Sequence, residues 1–206
     1  MDSALAALDR LREGNRRFVA NTRGANAKLP LRPAQVADGQ EPFAIILGCS
    51  DSRVPAEIIF DQGLGDLFVI RVAGNIVAPS QIGSVEYAAT TFGTRLVVIM
   101  GHSQCGAIHA TLEQLQTPSE NRSRNLRSIV DFIRPSIESL LDQGFGGDTD
   151  TLVEKAVRAN VRTSSQKMRD GSAILEDLER EEGLMIIGAE YSLETGVVDF
   201  FDGVPG

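Results

Sequence analysis

Four short apolar runs set the frame of this chain. Phe43–Leu47, Leu67–Val72 (broken only by Arg71), Leu96–Met100 and Leu184–Ala189 lack the in–out alternation of a half-solvated strand. Strands covered on both faces read this way, as in parallel sheets flanked by helices. Between the runs, apolar positions recur at helical spacing. Ile82, Val85, Ala88 and Ala89 place a helix over Gln81–Phe92. A second helix is expected from Cys105 to about Leu115. Residues 121 to 143 and 149 to 182 read as two mainly helical stretches, with Gly144, Gly146 and Gly147 between them. Val197–Phe201 is a fifth strand, at an edge. The alternation predicts an α/β fold: a mostly parallel central sheet of four to five strands flanked by helices.

The first forty-odd positions have a different texture. Asp2 to roughly Asn21 reads as a helix with Ser3 as its N-cap, and Leu5, Leu8, Leu11 and Phe18 fall on one stripe. That stripe must be buried on its own domain or on a second subunit. Residues 22 to 42, with Gly24, Pro30, Pro33, Gly39 and Pro42, read as an extended connection. The expected division is therefore a helical arm and connection over 1–42 and an α/β unit over 43–206, one domain overall.

Composition narrows the function classes. A length of 206 residues suffices for one domain with a full core. The apolar runs are too short to span a bilayer, so no membrane partner is expected. The first residues lack the basic and apolar regions of a signal peptide, which makes a cytoplasmic location the expectation. The formal net charge is -8. The densest basic stretch, Arg122, Arg124, Arg127 and Arg134, is flanked or interrupted by Glu120, Asp131 and Glu138. Nucleic-acid binding, which needs a clustered positive face, is not expected.

The chemistry sits around the two cysteines. Cys49 lies in Gly48-Cys49-Ser50-Asp51-Ser52-Arg53-Val54-Pro55, and Cys105 in Gly101-His102-Ser103-Gln104-Cys105-Gly106. Each segment directly follows a predicted strand. In open α/β sheets ligands bind beyond the carboxyl ends of the strands, so Cys49, Asp51, His102 and Cys105 converge if those strands are neighbours. Gly48 and Gly101 precede Cys49 and His102, where a tight strand exit allows unusual φ. Two cysteines and a histidine form a zinc ligand set that leaves a fourth position open, as a catalytic zinc requires. Asp51 as fourth ligand closes the site. Arg53, two residues on, is placed to hold Asp51 away through a bidentate pair. A structural zinc site usually takes four Cys or His ligands, and the remaining histidine, His109, reads as a surface or packed helical residue. A redox pair lacks the C-x-x-C spacing. Gly63-Leu64-Gly65 precedes a strand and lacks a third glycine, so it reads as a turn and not a dinucleotide site.

Taken together, Cys49-Ser50-Asp51-Ser52-Arg53-Val54-Pro55 and His102-Ser103-Gln104-Cys105-Gly106 resemble the paired motifs of the β-class carbonic anhydrases. The similarity runs from about Gln40 to Ala107 and continues more loosely through Ile186–Gly196. The resemblance implies that Cys49, His102 and Cys105 are the zinc ligands. It implies that Asp51 and Arg53 are the catalytic pair that also gates the metal, and that the Gly106 N–H helps hold substrate. Gln40 resembles the substrate-binding glutamine of plant-type members. Phe68, Ala73 and Tyr87 match positions lining the family's apolar pocket, with Tyr87 expected from a neighbouring subunit. A homodimer or dimer of dimers is implied, with the opening helix as an arm across the partner. Some bacterial members carry an allosteric bicarbonate site of Trp, Arg and Tyr. Arg71 and Tyr191 match two of these positions, but Ile46 stands where the Trp would be and the chain has no Trp. The plant-like subtype, without bicarbonate control through that site, is therefore the expectation.

The implied reaction is reversible hydration of carbon dioxide to bicarbonate and a proton through hydroxide on Zn2+. Hydrolysis of carbonyl sulfide or carbon disulfide on the same scaffold is the rival chemistry. A non-catalytic, zinc-stabilised oligomer is the rival of another class, and the Asp51–Arg53 pair speaks against it.

Overall fold

The computed structural model describes residues 3–21, 37, 39–117, 123–142 and 149–205. The extended connection and the Gly144–Gly147 linker expected from sequence lie almost wholly outside these residues. Five strands, β1 (Ala44–Gly48), β2 (Leu67–Arg71), β3 (Leu96–His102), β4 (Met185–Tyr191) and β5 (Val198–Asp202), form one sheet in the order β2-β1-β3-β4-β5. β1 pairs in parallel with β2 and β3, and β3 in parallel with β4; β5 closes the edge antiparallel to β4. β1 and β3 are buried at every position, which explains their unbroken apolar runs.

Helices cover both faces. They are α1 (Ala4–Val19), α2 (Ala56–Ile59), α3 (Pro79–Thr91), α4 (Gly106–Gln116), α5 (Arg124–Asp142), α6 (Thr149–Asp170) and α7 (Ala173–Glu182). One face carries α1 and α2 against Ile46, Val98, Met100 and Ile187. The other carries Val85 and Ala89 of α3, Met168 of α6 and Leu175 of α7 against Ile45, Leu47, Val97 and Ile99. The neighbouring residues of β1 and β3 thus feed opposite layers, as a pleated strand requires.

Two corrections to the sequence reading matter for the site. β3 does not stop at Met100: Gly101 pairs with Glu190 and His102 with Tyr191, so His102 is on the strand itself. Gly48 and Gly101 do not supply unusual φ; the left-handed residues near the site are Gly74 (φ 69°), Asn75 (φ 42°) and Gln104 (φ 54°). Gly101 is needed for space instead, because a Cβ there would lie 2.7 Å from Val161 Cγ2 of α6. The stretch 149–182 is also two helices. Gly171 and Ser172 separate them, and the Ser172 hydroxyl caps α7 by accepting from Leu175 N.

The Ser3 hydroxyl accepts from Ala6 N and so caps α1. Its Leu8 and Leu11 are buried on the sheet of their own chain, while Leu5 and Val19 remain exposed. Asn15 sews the helix down. Its Nδ2 donates to Gly196 O at 2.8 Å and Ile59 O at 3.3 Å, and its Oδ1 accepts from Val198 N at 2.9 Å. Asn15→Ala strands three backbone groups at a buried position, each costing about 1–3 kcal/mol if unpaired. We expect a net loss of about 3 kcal/mol in a denaturant titration, after partial relief by water. A loss below about 0.5 kcal/mol, the range of an ordinary surface substitution, would contradict this role.

Candidate metal centre

β1 and β3 are adjacent, and the chain leaves them in opposite directions across the sheet. This is the switch point at which open α/β sheets bind ligands. Cys49 follows β1 directly, His102 ends β3, and Cys105 is the N-cap of α4. The Cys49 Sγ, one His102 ring nitrogen and the Cys105 Sγ all lie within 4.8 Å of one another, near the spacing that bonds of about 2.0–2.3 Å to one zinc ion allow. All three residues are buried.

The polar atoms in this cluster are arranged for a cation. The His102 Nδ1 lies 2.8 Å from the Ser103 carbonyl, which can only accept. Nδ1 therefore carries the proton, and neutral Nε2 presents a lone pair inward. That buried Nε2 has no hydrogen-bond partner among the described residues, as expected of a nitrogen aimed at a cation. Gly74 N donates to Cys49 Sγ at 3.4 Å. The two thiols are unequal. A hydrogen bond from Cys105, with those from the Gly74 and Asp51 N–H groups, draws Cys49 down far enough to outweigh its burial. Donating that bond, together with burial, pushes Cys105 up. The α4 N-terminus favours an anion at Cys105.

Asp51 is not a member of the three-residue cluster. Arg53 holds it in a fork: Nε to Oδ1 at 3.0 Å and Nη2 to Oδ2 at 2.8 Å, with Arg53 N also donating to Oδ1 at 2.9 Å. The Asp51 Oδ2 stands 3.9 Å from His102 Nε2, beside the cluster and turned toward Arg53. These bonds, the guanidinium first, hold the carboxyl below the usual carboxylate range. Arg71 braces the same loop, donating to Cys49 O at 3.1 Å and Asp51 O at 2.6 Å. Ile46 is fully buried in the α1 face of the sheet and Tyr191 is buried at its edge of the site.

The remaining expected residues separate into two groups. Ala73 lies in a 3-10 turn, Ala73–Asn75, beside Gly74, and Gly106 opens α4 at the mouth of a groove of about 450 Å³ shared with Ala110, Leu112 and Leu152. Both are near the cluster. Gln40, Phe68 and Tyr87 are not. Gln40 precedes β1 whereas Cys49 follows it, and the strand alone puts roughly 15 Å between them. Phe68 pairs with Ile45 in the first half of β1, and its ring lies tilted against those of Tyr87 and Phe92, with centroids 6.2 and 6.1 Å away. Gln40 lines a cavity with Phe92 at this far end. His109 is exposed on α4 and outside the metal cluster.

Gly74, Arg71 as a brace, and Glu194 were not reached as site residues from sequence. Glu194 receives hydrogen bonds from Ser103 and Gln104, between the two ligands of the second motif. Only the left-handed conformation demanded at Gly74 leaves a local signature, a glycine in Ala73-Gly74-Asn75.

A sequence model of the carbonic anhydrase family matches residues 44–198. The chain belongs to the β-class carbonic anhydrases. Carbonic anhydrase 2 of Mycobacterium tuberculosis is 39% identical over 193 residues, covering 93% of this chain and 90% of that relative. The crystal structure of a β-carbonic anhydrase of Aspergillus fumigatus superposes with a TM-score of 0.75 at 25% identity, covering 98% of this chain and 92% of that one. A tetrameric β-carbonic anhydrase of Sordaria macrospora shares the fold with a TM-score of 0.73 at 24% identity, over 92% of this chain and 93% of that one. Zinc is the metal of this class, and the donor set here, two sulfurs and a correctly tautomerised imidazole, fits it. Among the described residues no helix is long and apolar enough to cross a membrane.

Proposed function

We propose that Cys49, His102 and Cys105 hold the zinc at which this carbonic anhydrase converts carbon dioxide and water reversibly to bicarbonate and a proton. The observation that carries the assignment is the orphaned, buried Nε2 of His102 facing two sulfurs. The chemistry supplied by zinc, when bound, is Lewis-acid activation of water near neutral pH; the three-histidine carbonic anhydrases are the familiar instance of it. The rest is the work of the chain. The Ser103 carbonyl fixes the His102 tautomer. Arg53 keeps Asp51 ionised and turned aside, leaving a position for water. Asp51, an acceptor on both oxygens, would take a hydrogen bond from the attacking water and hold it toward the carbon of the substrate. Gly106 N–H, at the helix start, meets the oxygen that gains charge.

The apolar pocket is completed by a second subunit. Gln40, Phe68 and Tyr87 lie at the opposite end of the sheet from their own Cys49, so they serve a partner's centre while Ala73 serves its own. A homodimer, or a dimer of dimers, follows, with exposed Leu5 and Val19 of the 1–42 arm facing the partner and 43–206 carrying the catalytic unit. The Asp51–Arg53 fork supports the plant-like, open-site reading. With Ile46 in the core and the Arg71 guanidinium on two carbonyls, the three-residue bicarbonate site has no place here. The cytoplasm is the proposed location.

The discriminating experiment runs carbon dioxide hydration by stopped flow beside sulfide release from carbonyl sulfide, on the same zinc-quantified protein. Fast hydration with little sulfide release is expected. Sulfide release as the faster reaction would overturn the substrate assignment while leaving the metal site intact.

A further inference from the structure

The two ligands of the second motif are separated by only Ser103 and Gln104, and both spacers are tied to one side chain far away in sequence. Ser103 Oγ donates to Glu194 Oε2 at 2.8 Å, and Gln104 Nε2 donates to Glu194 Oε1 at 2.5 Å. Glu194 sits in the turn between β4 and β5. That turn is closed without it: Ser192 N donates to Val197 O, Gly196 N to Ser192 O and Thr195 N to Ser192 Oγ. It is also anchored to the core, because buried Asn15 donates to Gly196 O and accepts from Val198 N. The Glu194 carboxylate is therefore not needed to form the turn. It reaches outward from a fixed base, and Ser192 Oγ at 3.1 Å orients it.

What it grips is decisive for the metal. Ser103 presents its carbonyl to His102 Nδ1, the bond that sets the tautomer and orientation of the ring. The same residue is fixed by three more bonds: its N–H to Tyr191 O, its hydroxyl to Glu194, and Leu193 N–H to that hydroxyl. Gln104 adopts a left-handed φ of 54°, uncommon for a residue with a Cβ, and this kink carries the chain from β3 to Cys105 at the start of α4. The tie from its amide to Glu194 opposes relaxation of the kink.

We propose that Glu194 is a positioning residue for the metal centre: by holding Ser103 and Gln104 from the β4–β5 turn, it fixes the His102–Cys105 spacing and slows loss of zinc. The proposal rests on the assignment of Cys49, His102 and Cys105 as zinc ligands. It adds a fourth segment, remote from both motifs, to the apparatus that holds the ion. Partners in this outer layer typically change metal affinity by about 10–100-fold.

The test follows zinc release from the holoenzyme into excess chelator for the wild type, Glu194→Ala, Glu194→Gln and Glu182→Ala. The last removes an ion pair with Arg95 at the other end of the sheet and measures the effect of losing a surface pair as such. Glu194→Ala is expected to lose zinc about tenfold faster. Glu194→Gln falls between it and the wild type, since one amide oxygen accepts from Ser103 while its NH2 faces the Gln104 amide. Glu182→Ala matches the wild type. With cobalt(II) in place of zinc, the ligand-field bands shift in Glu194→Ala and stay put in Glu182→Ala. Wild-type release and an unshifted cobalt spectrum in both Glu194 variants would overturn the proposal. A wild-type enzyme that binds no zinc would instead overturn the ligand assignment beneath it.

Discussion

Cys49→Ala and His102→Ala are each expected to lose zinc and carbon dioxide hydration together, the rate falling to that of buffer. Three ligands converge in a buried cluster, and Cys49 and His102 occupy the ends of adjacent strands that cannot approach each other further without breaking the sheet. Removing one leaves two donors and a cavity, and the described residues around the cluster provide no fourth Cys or His. His109 is exposed on α4 and outside the three-residue cluster, so His109→Ala should keep one zinc per chain and its activity. Metal content by elemental analysis and initial rates by stopped flow check both. Full activity in the Cys49 or His102 variant would remove that residue from the ligand set, and zinc loss in His109→Ala would add that residue.

Asp51→Ala should do something different, keeping the zinc and losing turnover by about 10²–10⁴-fold, the usual contribution of a positioned proton acceptor. Asp51 lies beside the cluster without joining it, so its removal takes no ligand from the ion. Arg53→Ala also keeps the zinc but frees the carboxylate from its fork, letting it close the open position, so turnover falls here too. The pH profile separates Asp51 from the group that titrates. Arg53 first, then the Arg53 N–H, hold Asp51 below the usual carboxylate range, so it is ionised throughout the neutral and alkaline region. Two thiolate donors leave the metal less acidic than three imidazoles do, so hydration rises on the alkaline side of neutrality. A profile flat over about pH 6–9 would contradict this account. The stability linkage has the same sense but acts in the acid range. A carboxyl whose folded-state pKa lies below its unfolded value stabilises the fold fully above the unfolded pKa, and that contribution vanishes as pH falls through the folded one.

Much of this was legible in the chain because burial on both faces leaves a plain mark. Ile45–Leu47 and Val97–Met100 are apolar without alternation, and β1 and β3 lie where such runs predict. The error at β3 has a physical reason. Gly101 and His102 look like the end of a strand, but their backbones continue the ladder with Glu190 and Tyr191, and the glycine answers to Val161. Helix α2, four residues long, is too short for periodicity to find. The Gly171–Ser172 break left its signals, a glycine and a capping serine, inside a pattern that otherwise continued. The two motifs gave the three side chains of the cluster and even their convergence, since both follow neighbouring strands. They did not give the separation of Gln40, Phe68 and Tyr87 from the cluster. Gln40 and Cys49 are nine positions apart with a strand between, so they occupy opposite ends of the sheet, and only the position of Phe68 beside Tyr87 shows that these residues travel together. Contacts made across the whole chain, such as Gly74 to Cys49 and Glu194 to Ser103, leave almost no local trace.

The central claim is that hydration depends on zinc held by this cluster. The direct measurement is the initial rate of carbon dioxide hydration as zinc is stripped by a chelator and then returned in known amounts. The account predicts that activity disappears with the metal and returns in proportion to it, saturating at one zinc per chain. A rate indifferent to zinc, or no rate with one zinc bound per chain, would contradict it.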